Sequence, residues 1–168
     1  MDKSEGFRPI AREDARVLVL GSLPGQRSLT ESRYYAHPQN AFWPIMQDVF
    51  GINGSYAERC AVLEQHKIAL WDVLRASVRP GSLDSDIRLE TATANDFASF
   101  LSEYSCVQEV MFNGKKAEQM FRRMVPQTLC KKLRLTALPS TSPAYAAMPY
   151  DTKLQTWKQA LMHALTIS

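Results

Sequence analysis

The residue types best suited to chemistry gather in one stretch, Tyr34-Tyr35-Ala36-His37-Pro38-Gln39-Asn40-Ala41-Phe42-Trp43-Pro44, which places aromatic rings, an imidazole and carboxamides in a polar setting. Aromatic rings beside polar groups suit stacking on a flat base. Just upstream lies Gly21-Ser22-Leu23-Pro24-Gly25-Gln26-Arg27-Ser28-Leu29. Its glycines allow a ligand close approach to the backbone, and its amides can hold an anion or a carbonyl. Plainer readings stand beside these: the glycines can simply end a strand, and Phe42 and Trp43 can open a helix and pack into the core. We adopt the core reading for Phe42 and Trp43 and expect Tyr35 to be an exposed, functional ring. Asn40 can cap that helix, although Pro44 follows closely and blurs its start.

These residues need elements to position them. Short apolar runs at Arg16 to Leu20, Ile68 to Leu74, Val107 to Phe112 and Leu133 to Leu138 read as buried strands, because they lack clean alternation. Helical spacing of apolar residues recurs at Tyr56 to His66, Asn95 to Tyr104 and Gly114 to Val125. It returns in the C-terminal stretch, where Asp151 is placed as N-cap before Leu154, Trp157, Leu161 and Leu165. Strands alternating with helices predict an α/β fold with a parallel sheet covered on both sides. Ligands in such sheets bind beyond the carboxyl ends of the strands, which directs attention to the loops after Leu20, Phe112 and Leu138. Residues 1 to 15 read as a polar lead-in, and nothing divides the 168 residues, so one domain is expected.

Composition narrows the function classes. Hydrophobic residues make up 45%, which excludes a disordered chain, and a net charge of +3 permits a polyanionic partner without requiring one. The basic pairs Lys115-Lys116, Arg122-Arg123 and Lys131-Lys132 read singly as solvated surface. Cys60, Cys106 and Cys130 are widely spaced and odd in number, against a disulfide framework or a zinc site. With no apolar run of signal-peptide or membrane-spanning length, a soluble cytoplasmic protein, without a membrane partner, is expected.

The string GSLPGQRSLTESRYYAHPQNAFWP resembles the first motif of the uracil-DNA glycosylase superfamily, and most of all its hypoxanthine-DNA glycosylase (DNA-deoxyinosine glycosylase) branch. Asn113-Gly114-Lys115, Leu138-Pro139-Ser140-Thr141-Ser142-Pro143, Leu70-Trp71-Asp72-Val73 and Gly81-Ser82-Leu83-Asp84 extend the likeness in the right order over most of the chain. The resemblance implies a three-layer α/β/α sandwich with a short, mainly parallel sheet. It also implies excision of a deaminated base, hypoxanthine or uracil, from damaged DNA by a monomer that needs no metal or cofactor.

The resemblance also implies site residues. Better-known branches hold the attacking water with Asp or Asn at the position of Leu23, and often place His or Asn at that of Leu138; neither leucine can do this. In the hypoxanthine branch the role passes to the Asn of the HPxN stretch, here Asn40, with His37 as a second catalytic candidate. Ser22, Leu23, Tyr35 and Asn113 are assigned to the base pocket. The Asn113 amide can accept from a ring N–H and donate to the adjacent carbonyl, a pair that uracil and hypoxanthine share; a turn at Asn113-Gly114 is the plainer reading. Ser140, Thr141, Ser142 and Tyr145 are assigned to DNA, with Ser142 capping a helix that Pro143 opens and Tyr145 aiding base extrusion. Three alternatives stay open: a mismatch-specific uracil-DNA glycosylase, a non-catalytic lesion-binding module, and a small-molecule nucleoside hydrolase or phosphate-binding enzyme.

Overall fold

The computed structural model describes residues 3–78 and 87–166, so the Gly81 to Asp84 motif lies outside the described residues. The central sheet is built from β2 (Val17–Gly21), β3 (Ile68–Asp72), β6 (Glu109–Asn113) and β7 (Arg134–Leu138). Its order is β3-β2-β6-β7, and every neighbouring pair is parallel. The register sets Gly21 opposite Asp72, and Asn113 opposite Leu138, so the strands end together along one rim.

Consecutive residues of β2 feed opposite layers, as the pleat requires. Leu18 and Leu20 pack with Phe97 and Phe100 of α4 (Phe97–Glu103) and with Met120 and Phe121 of α5 (Lys115–Met124). Val17 and Val19 pack with Phe42 and Ile45 of α2 (Phe42–Phe50), Leu63 of α3 (Tyr56–Gln65), and Trp157 and Leu161 of α6 (Tyr150–Thr166). Burial on both faces is why these runs carry no polar alternation. The result is the expected α/β/α sandwich. β7 departs from the pattern: at the sheet edge, it is largely half-buried or exposed.

Two features differ from the expectations. The polar lead-in is docked: β1 (Lys3–Glu5) pairs antiparallel with β4 (Leu74–Val78), which pairs with β5 (Arg88–Ala94) in a second sheet. Ile10 forms an isolated bridge to Leu70. Asp151 does not cap the last helix, which begins at Tyr150; its carboxylate lies in the first turn, where the helix dipole favours negative charge. Arg122 and Arg123 occupy the last turn of α5, at the favourable end for cations, and Arg122 also pairs with Glu118.

Candidate active site

The rim of strand ends opens into one cleft of about 1020 Å³. Ser22, Leu23, Tyr35, His37, Asn40, Asn113, Ser140, Thr141, Ser142 and Tyr145 all line it. The three loops named from the strand ends thus converge in space.

Gly21, the last residue of β2, forms part of the lining. A Cβ there would lie 2.6 Å from Asp72 Oδ1 and 3.3 Å from the Tyr35 hydroxyl. The missing side chain therefore leaves room beside the end of β2 for a buried carboxylate and a phenol. Asp72 is 4% exposed and lines the cleft. Sequence reasoning gave it no role. The usable signal was a charged residue closing the apolar run Ile68 to Trp71, at a strand end where ligands bind.

Tyr35 is half-buried rather than exposed, because its ring stacks on Phe42 with centroids 4.3 Å apart. Its backbone is left-handed at φ 56°, an uncommon conformation for a residue with a Cβ. That turn carries the chain from α1 (Gln26–Glu31) towards His37 and Asn40. His37 accepts the Gln39 N–H at Nδ1, 3.1 Å away, so the proton of its neutral ring sits on Nε2. Its carbonyl accepts from Asn40 N–H at 2.9 Å. Asn40 Oδ1 accepts the Phe42 N–H at 2.9 Å and so helps satisfy the first turn of α2, with Ala41 at the cap position. Because a backbone N–H only donates, this bond also fixes which way the Asn40 amide faces.

Asn113 is the last residue of β6, and the turn falls on Gly114, at φ 99°. The Asn113 amide meets Thr141 twice. Nδ2 donates to Thr141 Oγ1, and Oδ1 accepts from Thr141 N–H, both at 2.9 Å. The Thr141 carbonyl accepts from Ala41 N–H at 2.9 Å. Thr141, expected on the DNA face, is instead buried, and it joins the Asn113 and Asn40 loops. Each end of the Asn113 amide keeps one further position, a lone pair and an N–H, for a ligand.

Beyond Thr141 the chain makes a turn, not the expected helix. Ser142 Oγ accepts from Ala144 N–H, and Tyr145 N–H donates to the Ser142 carbonyl. Pro143 therefore sits within a turn. Ser140 Oγ accepts from Ser142 N–H, and Ser140 and Ser142 are half-buried. Tyr145 is the large hydrophobic side chain exposed among the described residues, at 38%. Leu23 and Leu138 are buried, each 5% exposed, and supply apolar wall. Lys115 is exposed beside the cleft at the start of α5, where sequence reasoning had left it as solvated surface.

Known proteins resemble this chain in sequence and in fold. Residues 9–166 match the model of the uracil DNA glycosylase superfamily. A hypoxanthine DNA glycosylase of Methanosarcina barkeri is 37% identical over 134 residues, covering 75% of this chain and 82% of that protein. One from Methanosarcina acetivorans is 34% identical over 164 residues, covering 94% and 98%. The solution NMR structure of a Methanosarcina acetivorans protein, described as a uracil DNA glycosylase, superposes with a TM-score of 0.79 at 30% identity, covering 97% of this chain and 99% of that one. No helix among the described residues is long and apolar enough to cross a membrane. The chain belongs to the uracil DNA glycosylase superfamily.

Proposed function

We propose that this protein is a monofunctional DNA glycosylase that hydrolyses the N-glycosidic bond of a deaminated base in DNA, with hypoxanthine as the main substrate. The observation that carries this reading is the convergence of Tyr35, Asn40, Asp72 and Asn113 on one cleft around Gly21. Relatives named for hypoxanthine excision support the choice of base.

The base is flipped into the cleft and lies over Gly21, with Tyr35 beside it. Asp72 and Asn113 end the strands on either side of β2, about two strand spacings or roughly 10 Å apart. The Asp72 carboxylate accepts the ring N–H that deamination creates. Adenine presents a lone pair at that position, and a carboxylate, unlike an amide, cannot turn round to donate to it. The remaining N–H of Asn113 donates to an acceptor on the opposite edge, and Thr141 prevents that amide from flipping.

Asn40 orients the water. Its Oδ1 accepts one water proton through the lone pair left free by the Phe42 N–H, aiming the water oxygen at the sugar carbon. As the carbon–nitrogen bond breaks, its electron pair leaves with the base and the sugar acquires cationic character. The carbon–oxygen bond forms, the water releases its proton to solvent, and the base takes up a proton. His37, which lines the same cleft, offers its Nε2–H as hydrogen-bond donor to the departing base. With an amide in place of a carboxylate base, turnover is slow.

Ser140, Ser142 and Lys115 contact the DNA backbone around the cleft, and Tyr145 fills the gap left by the extruded nucleotide. The protein acts as a monomer in the cytoplasm; its cysteines are unpaired thiols, in keeping with a reducing compartment. The test is incubation with end-labelled duplexes carrying one hypoxanthine or one uracil, followed by alkaline cleavage. Strand scission at the hypoxanthine position supports the reading, and the two rates separate it from a uracil-specific enzyme. Lesion binding without scission at high enzyme concentration would replace it with a lesion-binding module.

A further inference from the structure

We propose that Arg33 and Arg59 form a preordered phosphate site beside the base cleft, and that it holds a phosphodiester of the strand whose nucleotide is flipped. This rests on the reading above that the ligand is DNA. A separate pocket of about 170 Å³ is lined by both arginines and shares Tyr35, His37 and Asn40 with the base cleft. An anion held there lies one loop away from the flipped nucleoside.

Both guanidinium groups are held against aromatic rings. The Arg33 guanidinium carbon lies 5.4 Å from the centre of the Tyr56 ring. That of Arg59 lies 4.8 Å from the Trp43 ring and 5.8 Å from Tyr56. The rings are themselves pinned, since Tyr56 accepts the Tyr34 N–H and Trp43 Nε1 donates to the Tyr34 carbonyl, both at 2.9 Å. A guanidinium over a ring keeps its in-plane N–H edge for a bidentate acceptor, and phosphate oxygens match that fork.

Among the described residues no salt bridge takes up this role, and the carboxylate that faces the pocket, Glu31, is engaged by Arg27. Arg59 Nε is buried without a hydrogen-bond partner. Leaving a buried donor of a charged group unmatched is unfavourable, so the arrangement calls for an incoming acceptor. The rings preorder the cations and reduce the entropy lost on binding.

The experiment is fluorescence anisotropy of labelled duplexes, undamaged and hypoxanthine-containing, over a salt series with wild type, Arg33→Gln, Arg59→Gln and the double variant. Loss of this phosphate contact should lower the slope of log K against log salt by roughly 0.9 in the double variant, and each single variant should lose a measurable part of that. Single-turnover excision at saturating DNA should stay within about twofold of wild type, because neither side chain touches the reacting atoms. Arg33 is exposed, so Arg33→Gln alone decides the matter if changes at Arg59 unfold the protein. Wild-type slopes in that variant and in any folded double variant would overturn the proposal. So would inorganic phosphate raising the melting temperature of wild type but not the variants while the DNA slopes stay equal. Arginine-dependent slopes in a protein that releases no base would instead refute the catalytic reading and leave the phosphate site standing.

Discussion

The Asn113 side-chain amide is bonded at both ends to Thr141: Nδ2 donates to Oγ1 and Oδ1 accepts from the backbone N–H, each at 2.9 Å. A residue at the end of β6 is thereby locked to the loop after β7. An amide free to flip could turn its oxygen towards the base acceptor and lose that bond; this one has a single orientation, with one N–H left to donate.

Thr141→Val keeps the backbone N–H and the side-chain shape but removes the acceptor for Asn113 Nδ2. The buried donor left behind should cost about 1–3 kcal/mol of stability. Excision of hypoxanthine should fall roughly tenfold as the amide loosens. Denaturant unfolding and single-turnover assays check both. A variant with unchanged stability would show that the pair contributes nothing to the lock.

Gly21→Ala introduces a methyl group 2.6 Å from Asp72 Oδ1 and 3.3 Å from the Tyr35 hydroxyl. Asp72 is buried and its short carboxylate must shift to admit the methyl group, so the strain should cost about 1–3 kcal/mol. Activity should drop further than that loss explains, because the methyl group occupies the proposed base site. Competition binding with abasic-site and hypoxanthine duplexes separates the two effects: only the flipped base should lose affinity.

Asp72→Asn replaces an acceptor-only group with one that can turn round and donate. Hypoxanthine excision should fall about tenfold, and the ratio of hypoxanthine to adenine affinity should shrink. Binding of duplexes with each base at the test position measures this. An unchanged ratio would remove Asp72 from base recognition.

The loops at the strand ends were legible because strand identity, strand order and the rule for open parallel sheets needed only the apolar runs and the turns that close them. Asp72 was not, since a carboxylate closing an apolar run has no local feature to separate a buried ligand group from an exposed strand end. It becomes visible only when Gly21 and Tyr35 are brought against it from elsewhere in the chain. Strands β4 and β5 escaped for a different reason. Their residues, Leu74-Arg75-Ala76-Ser77-Val78 and Arg88 to Ala94, mix polar and small types and gain their pairing from each other and from β1. The turn at Ser142-Pro143 matched a helix start locally, but the chain turns again before Tyr150.

Lys153 is 5% exposed; it donates to the Tyr145 carbonyl at 2.7 Å and stands 5.1 Å from the centre of that ring. Burial holds its ammonium below the ordinary lysine value. The unfolded chain therefore keeps this proton to higher pH than the folded protein. The charged form costs stability at neutral pH, and that cost fades as pH rises through the window just below the ordinary lysine value. Lys153→Met should leave neutral-pH stability within about 1 kcal/mol of wild type or raise it, and flatten the gain in melting temperature as pH rises towards the ordinary lysine value. Excision should nevertheless fall several-fold as Tyr145 loses its tether. Loss of stability with full activity would contradict both parts.

The most direct test of the central claim is single-turnover release of free hypoxanthine from a labelled duplex by wild type and by Asn40→Ala, with DNA affinity measured in parallel. The account predicts clear release by wild type. In the variant, release should slow by roughly a hundredfold with affinity nearly unchanged, because a positioned water is lost and the DNA contacts are not. The lost bond to Phe42 N–H should cost only about 1 kcal/mol of stability. Equal release rates in the two proteins would contradict the assignment of the water to Asn40, and no release by wild-type protein that still binds the lesion would contradict catalysis altogether.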